Sequence, residues 1–178
     1  MIPVVVFSNE KFAVQLRRTL GELCTTSYIS DREIKINKNS QLLLVERKKI
    51  KSDTEPDGIL VICQRHNCVS ECGFSSIVIA DSSNKTFKSF LIDSETEYIT
   101  CGMSSMDTVN FSSIHDQEVS VSVMRNVKDI NGNTVEPFEV SIFSKTDISK
   151  YPPFYLLSFV ALATVLGITL DGKRIVFE

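Results

Sequence analysis

Three cysteines and a histidine lie within ten residues near the middle of the chain: Cys63, His66, Cys68 and Cys72. Thiolates and an imidazole are side chains that bind zinc at tetrahedral angles. The Cys-x4-Cys-x3-Cys spacing is not a recurrent zinc-binding pattern, and Cys63 ends an apolar run typical of a buried strand. The pattern therefore favours reduced cysteines in and beside a core over a zinc site.

Polar side chains also follow several apolar runs that have the pattern of parallel strands. Ser8, Glu46 and Asp81 come directly after such runs, and His66 follows another at a short distance. Ligands of open α/β sheets bind in the crevice at the carboxyl ends of the strands, so we expect these four residues near it. A small-ligand carrier is one function that fits this placement. The basic stretch 47–49 favours a solvated strand end over a metal site for Glu46.

Nucleophilic catalysis has little support in the sequence. His66 and His115 are the only histidines. No serine or cysteine lies in a recognisable nucleophile motif, and Cys101 has the pattern of a strand residue. A hydrolase or transferase triad is therefore not favoured.

Composition sets the general class of the protein. The chain has 178 residues, a formal net charge of -3 and a 43% hydrophobic share, which predict a single domain over residues 1–178. The slightly acidic balance gives no support to binding of nucleic acid or anionic membranes. The longest apolar run, 154–168, is shorter than the ~20 residues that span a bilayer and predicts a buried helix. The first residues have a strand pattern rather than that of a secretory leader, so we expect a reduced, cytoplasmic protein.

The first half of the chain alternates predicted strands with a helix. Val4–Phe7 is a continuous apolar run, typical of a strand covered on both faces. A helix is expected to follow, with Ser8 or Asn9 as N-cap and Gly21 near its end. Its apolar positions at helical spacing are Phe12, Leu16, Leu20 and Leu23. Further strands are predicted at 33–37, 42–45, 59–63, 77–80 and 98–101.

The second half has a different pattern. Apolar and polar residues alternate over 106–143, with a hairpin signal at Asn131-Gly132, which predicts an antiparallel ribbon. Tyr151-Pro152-Pro153 is expected to open the apolar helix and Gly167 to close it. A last strand is predicted at 174–177. The fold class is therefore α/β, with a mostly parallel sheet flanked by helices and an antiparallel ribbon in the C-terminal half.

This order of elements resembles the central, ATP-binding domain of the Mur ligases, the ATP-dependent enzymes that add amino acids to peptidoglycan precursors. The run Leu42–Glu46 is similar to the family strand that ends in a metal-binding glutamate. Other segments that resemble the family in order are Pro56–Ile62, Gln64–Asn67, Ile77–Asn84, Tyr98–Ser104, Asp107–Ile114 and Ala161–Ile168. The resemblance extends thinly over nearly the whole chain and implies the same fold.

The segment of this chain that corresponds to the family's phosphate loop lacks most of the residues that bind phosphate and Mg²⁺ there. A Gly-Thr-Asn-Gly-Lys-Thr-Thr type loop corresponds to Ser8-Asn9-Glu10-Lys11-Phe12-Ala13. Glycines let backbone N–H groups surround the phosphates, and a hydroxyl residue binds Mg²⁺. Lys11 keeps the lysine position, with Ser8 and Asn9 as the remnant of the loop, but the glycines and both hydroxyl residues are absent. The chain has only seven glycines in all.

A second departure agrees with the first. The family carries an essential lysine in the segment that corresponds to 63–77, whereas no lysine occurs from Ser52 through Asn84. The family's substrate-binding domain and its C-terminal ligase domain also have no counterpart in these 178 residues.

The resemblance and its departures together predict a non-catalytic, Mur-ligase-like binding or regulatory module, a pseudoenzyme with a degenerate phosphate loop and no cofactor. Its expected partner is another protein or a second copy of the chain, and its expected setting is bacterial and related to peptidoglycan. The alternative is an ATP-dependent ligase that forms peptidoglycan-type amide bonds together with a separate partner chain. Only that alternative requires ATP and Mg²⁺.

Overall fold

The computed structural model describes residues 1–7, 10–47, 58–62, 77–84, 98–170 and 175–177. The chain divides into two compact units, Met1–Tyr98 and Ile99–Glu178. That residues 1–178 act as a single domain stays a prediction.

The first unit contains a mostly parallel sheet and a helix. Its described strands lie in the order β6-β5-β1-β4-β2-β3, and neighbours are parallel except β3, which is antiparallel to β2. The strands are β1 Ile2–Phe7, β2 Thr26–Ile29, β3 Ile34–Lys35, β4 Leu42–Arg47, β5 Ile59–Ile62 and β6 Ile77–Asp81, and the helix is α1 Glu10–Leu20.

The central strands of this sheet form where the sequence is continuously apolar. Val4 and Val6 of β1 and Leu44 of β4 are fully buried. Helix α1 packs against β2 and β4 and buries Leu16 and Leu20 completely. The predicted strand and helix at the start of the chain are therefore confirmed, except that the helix ends at Leu20 and Leu23 falls in the turn that follows. The predicted N-cap, Ser8 or Asn9, lies outside the described residues.

The region between α1 and β4 differs from the sequence-based expectation. The predicted strand at 33–37 is reduced to the two residues of β3, which are both exposed. β4 pairs with β1 on one side and on the other with β2, Thr26–Ile29, a strand that the sequence does not predict. Its sequence, Thr-Ser-Tyr-Ile, lacks an aliphatic run, and its pairing with the apolar β4 overrides that weak local signal.

The second unit contains a mixed sheet and a helix. Its strands lie in the order β13-β12-β9-β8-β7; β8, β9 and β12 are antiparallel, while β7 pairs with β8 and β13 with β12 in parallel. These strands are β7 Tyr98–Cys101, β8 Val109–Ile114, β9 Glu118–Val123, β12 Phe138–Ser144 and β13 Ile175–Phe177; β10 Val127–Lys128 and β11 Thr134–Val135 form a separate ribbon, and the helix is α2 Pro153–Val165. The predicted α/β class with its antiparallel ribbon is confirmed.

The two turn signals in this unit are confirmed as well. Asn131-Gly132 connects β10 to β11, and Gly132 has a φ of +82°, in the left-handed region that glycine accepts readily. Gly167 has a φ of +68° just after α2 and ends that helix, as in a left-handed C-cap.

Helix α2 is the core of the second unit. Every residue from Phe154 through Val165 is buried, and the helix packs against β8, β9 and β10. The rings of Tyr155 and Phe159 each lie 5.4 Å from the ring of Phe177, which holds β13 beside the helix. The predicted buried helix is confirmed. Among the described residues, no helix is long and apolar enough to cross a membrane.

The close approach of β5 to β1 gives a test of the first unit. A Cβ atom on Gly58 would lie 2.5 Å from the carbonyl oxygen of Pro3, so we expect Gly58→Ala to lower the free energy of unfolding by about 3 kcal/mol. Gly132→Ala is the control, because its Cβ would meet nothing within 4 Å. That variant should lose only about 1 kcal/mol, from its backbone conformation. Urea unfolding followed by circular dichroism measures both losses, and equal losses would contradict the prediction.

Candidate functional site

The carboxyl ends of the parallel strands in the first unit meet at one edge of the sheet. Val6 of β1 lies beside Glu46 of β4 on one side and beside Val61 of β5 on the other. Val61 in turn lies beside Ile79 of β6. This edge is where the sequence places the crevice.

Only part of the predicted site lies in the described residues. Glu46, Asp81 and Lys11 are described, whereas Ser8, Asn9, Cys63, His66, Cys68 and Cys72 lie outside the described residues. The zinc hypothesis and the crevice position of His66 therefore stay predictions. Within the described ranges, no group of three or more histidine, cysteine, aspartate or glutamate side chains is placed to hold a metal ion.

Glu46 is buried, not solvated. Its side chain is only 6% exposed, and its Oε2 accepts a hydrogen bond of 2.6 Å from the hydroxyl of Tyr28 on β2. The interpretation of this residue as a solvated strand end is wrong, because the carboxylate turns into the protein and is held by a side chain of the neighbouring strand. A buried carboxylate needs strong donors to offset its lost hydration, and the phenol supplies one.

Tyr28 connects Glu46 to the surface through two charged side chains. The guanidinium carbon of Arg17 on α1 lies 4.6 Å from the centre of the Tyr28 ring, within cation-π distance. Nη1 of Arg17 also lies 3.0 Å from Oε2 of Glu33, just before β3. The resulting chain of contacts, Glu46–Tyr28–Arg17–Glu33, ties together β4, β2, α1 and the start of β3. We call it the Tyr28 network.

The environment of Tyr28 keeps its hydroxyl protonated. Burial of the phenol, together with its hydrogen bond to Glu46, raises the pKa of Tyr28 to about 12. A phenolate beside a carboxylate would bring two negative charges together in a poorly solvated site. The hydroxyl of Tyr28 therefore remains protonated, and a donor to Glu46, across the whole physiological pH range.

Asp81 has a structural partner of its own. Its side chain is 8% exposed, and its Oδ1 accepts hydrogen bonds from the backbone N–H of Ser83, at 2.8 Å, and from the hydroxyl of Ser83. The backbone N–H of Asn84 donates to the carbonyl of Asp81 at 3.0 Å. This is an Asx turn, in which the carboxylate closes the turn that ends β6.

Glu46 and Asp81 share an edge of the sheet but not a binding site for one ion. They lie on strands separated by β1 and β5, and Asp81 is two residues beyond the level of Glu46. At about 4.8 Å between strands and about 3.3 Å per residue, their Cα atoms lie roughly 15 Å apart. Two carboxylates at that separation cannot both bind a cation whose oxygen ligands lie within about 2.6 Å.

The start of α1 is apolar where the family has its hydroxyl residues. Phe12 is 6% exposed and Ala13 is fully buried, so both belong to the core beneath the helix. Lys11 is exposed to solvent, as expected for a lysine at the beginning of a helix. These two positions in the first turns of α1 therefore supply apolar packing.

The second unit offers no cysteine-histidine pair for catalysis. Cys101 is 1% exposed at the end of β7, level with Val109 of β8. His115 is exposed and lies six residues beyond Val109, about 20 Å away along an extended chain. In the described part of the second unit, Cys101 and His115 are therefore not neighbours.

This architecture is a Mur-ligase-like fold. A crystal structure of MurF from Acinetobacter baumannii (structure II) is similar to the chain with a TM-score of 0.52 and 11% identity, over 96% of this chain and 43% of the MurF chain. Crystal structure I of the same MurF gives a TM-score of 0.48 at the same identity and coverage. The chain therefore spans less than half the length of MurF, and identity this low shows the fold alone. No protein-family model and no curated protein matches the sequence.

Tyr28 is the site residue that the sequence did not reveal. It lies 18 residues before Glu46 in a segment with no strand prediction. Thr25, Thr26, Tyr28 and Ile29 are all residues enriched in strands, and that clustering is the signal that could have found β2.

Replacement of the Tyr28 hydroxyl tests the network. We expect Tyr28→Phe to lower the free energy of unfolding by about 1–2 kcal/mol at neutral pH, because the buried Glu46 carboxylate loses a donor. Tyr98→Phe is the control, since Tyr98 is 48% exposed. Urea unfolding of the two variants and the wild type gives the difference, and equal stability of all three would contradict the prediction.

The raised pKa of Tyr28 predicts a loss of stability at alkaline pH. A tyrosine in an unfolded chain has a pKa of about 10. The contribution of the Tyr28 hydroxyl to the free energy of unfolding is therefore complete below that pH, and it is lost as the pH rises toward the pKa of about 12 in the folded protein. Ultraviolet absorbance of tyrosinate measures the titration, and the wild-type curve minus the Tyr28→Phe curve isolates this residue. A midpoint near 10 in that difference would contradict the assignment.

Proposed function

We propose that this chain is a non-catalytic, Mur-ligase-like module, a pseudoenzyme that binds a partner and no longer binds nucleotide. The observation that carries the proposal is the hydrogen bond from Tyr28 to the buried carboxylate of Glu46. Glu46 is the residue that the family resemblance aligns with a metal-binding glutamate. Here its carboxylate is held by a neighbouring strand.

The burial of Glu46 argues against a working Mg²⁺ site. Mg²⁺ needs near-octahedral geometry and usually keeps several water ligands beside one or two carboxylates. A side chain that is only 6% exposed, with one oxygen engaged by a phenol, leaves little space for such a hydrated ion. Binding Mg²⁺ would require Tyr28 to leave its partner.

The start of α1 supports the same conclusion independently. Phosphate binding at a helix N-terminus depends on backbone N–H groups that are free to face the anion, and usually on glycines before them. The sequence has no glycine from Met1 to Leu20, and Phe12 in the first turn is buried. Among the described residues of the proposed module, neither the start of α1 nor Glu46 therefore offers an open site for phosphate or a metal ion.

The alternative function, an ATP-dependent ligase completed by a separate chain, is favoured by one observation. Glu46 and Asp81 keep buried carboxylates at the carboxyl ends of β4 and β6, the edge where open α/β sheets bind ligands. Under this alternative the partner would supply the missing substrate sites. ATP and Mg²⁺ would then be required.

Isothermal titration with ATP and Mg²⁺ tests the leading proposal. We expect no heat of binding at nucleotide concentrations up to about 1 mM, near the upper end of ordinary substrate affinities. Lys11→Ala should behave like the wild type, because the lysine is exposed and has no phosphate to hold. A Mur ligase with an intact phosphate loop serves as the positive control. Micromolar binding that Lys11→Ala abolishes would disprove the proposal.

Turnover of ATP in the presence of candidate partner chains tests the alternative. A ligase that uses Glu46 as a metal ligand should lose at least about 100-fold in kcat in Glu46→Ala, because metal ligands act directly on the transferred phosphate. Asp107→Ala is a control for removal of a buried carboxylate elsewhere, since Asp107 is 4% exposed in the second unit. Turnover that is unchanged by Glu46→Ala would count against the alternative.

A further inference from the structure

The edge strand β3 and the residue that follows it expose two large aliphatic side chains. Ile34 is 72% exposed and Ile36 is 58% exposed, the highest exposure of any described isoleucines. In the described part of the chain, β3 is the last strand on its side of the sheet. An open edge with exposed aliphatic residues is a place where another strand can add to the sheet.

The backbone of β3 is oriented for such an addition. The N–H of Ser30 donates to the carbonyl of Glu33 at 2.9 Å, so the carbonyl of Glu33 faces β2. Hydrogen-bonding groups alternate in direction along an antiparallel strand, and those of Ile34 therefore point away from β2 toward the open edge. Ile34 is thus the residue whose backbone can pair with an incoming strand.

The sequence around Ile34 is complementary to itself. When two copies of Glu33-Ile34-Lys35 lie antiparallel with Ile34 opposite Ile34, each Glu33 lies directly opposite the Lys35 of the other copy. Opposite charges in directly facing positions stabilise a sheet, and like charges destabilise it. If the two-fold axis moved by one residue along the strand, it would pass through Lys35 or through Glu33. Lys35 would then lie opposite Lys35, or Glu33 opposite Glu33. Of these three registers, only the one centred on Ile34 places Glu33 opposite Lys35.

We propose that β3 pairs with the β3 strand of a second copy of this chain, with the two-fold axis through Ile34. A lysine on an edge strand usually prevents association, but in this register Lys35 faces Glu33 of the other copy, whose carboxylate also pairs with Arg17 of its own chain. The contact is isologous, because the same residues contribute from both copies. It involves short strands and a small area, which predicts a reversible dimer that depends on concentration. The inference goes beyond the proposed function and is independent of nucleotide binding.

Charge reversal tests the register. Glu33→Lys alone or Lys35→Glu alone would place like charges opposite each other twice in a dimer. Each variant should raise the dimer dissociation constant at least about tenfold, as measured by sedimentation velocity over a concentration series. An equimolar mixture of the two variants should form a heterodimer with wild-type strength, because their reversed charges then face each other. Restoration in the mixture also shows that both variants are folded.

Two isoleucine variants test the location of the contact. Ile34→Lys should abolish the dimer by placing two ammonium groups at the two-fold axis. Ile114→Lys is the matched control, since Ile114 is 53% exposed on β8, and its dimer should match that of the wild type. The proposal is overturned if the wild type stays monomeric up to its solubility limit or if Ile34→Lys dimerises like the control. It is also overturned if the mixture of charge variants associates no better than each variant alone.

Discussion

The first unit depends on how it satisfies one buried carboxylate. Glu46 lies at the end of a strand that is otherwise apolar, and its removal from water would cost several kcal/mol without a donor. The hydroxyl of Tyr28 supplies that donor at 2.6 Å. Because the donor comes from β2, the requirement fixes β2 beside β4, with Tyr28 opposite Leu44, two residues before Glu46 in the register. The hydrogen bond that Glu46 requires, in addition to apolar burial, thus determines that β2 is the strand beside β4.

The same requirement reaches the edge of the sheet. Arg17 stacks on the Tyr28 ring and pairs with Glu33, so the turn between β2 and β3 is held against α1. Glu33 and Lys35 lie on that face of the strand, and the intervening Ile34 lies on the other. The arrangement that satisfies Glu46 therefore also leaves an isoleucine exposed on an open edge. The contacts of the Tyr28 network thus both satisfy the buried Glu46 and leave Ile34 exposed at the edge of the sheet.

The sequence was sufficient for the elements whose signal is local. Continuous apolar runs predicted β1, β4, β5 and β6, the alternating residues predicted the ribbon, and the glycines predicted turns that do have positive φ at Gly132 and Gly167. It was not sufficient for β2 or for the burial of Glu46. Both depend on a contact between residues 18 positions apart, which leaves no periodic pattern, and the basic residues after Glu46 pointed to solvent. Local patterns predict which segments are apolar, whereas the pairing of buried polar groups is decided by tertiary contacts.

That distinction also separates what the fold needs from what a binding site at its strand ends would need. The sheet needs apolar strands and a covering helix, and neither depends on what the strand ends bind. A helix start that holds phosphate must keep its first turn open to the anion and gains little from packing there. With Phe12 and Ala13 buried in the first turns of α1, those positions add apolar contact to the sheet. Likewise, a glutamate held by Tyr28 contributes a satisfied hydrogen bond rather than an open ligand. At both positions the side chains contribute to the stability of the fold, through apolar burial at the start of α1 and through a hydrogen bond at the end of β4.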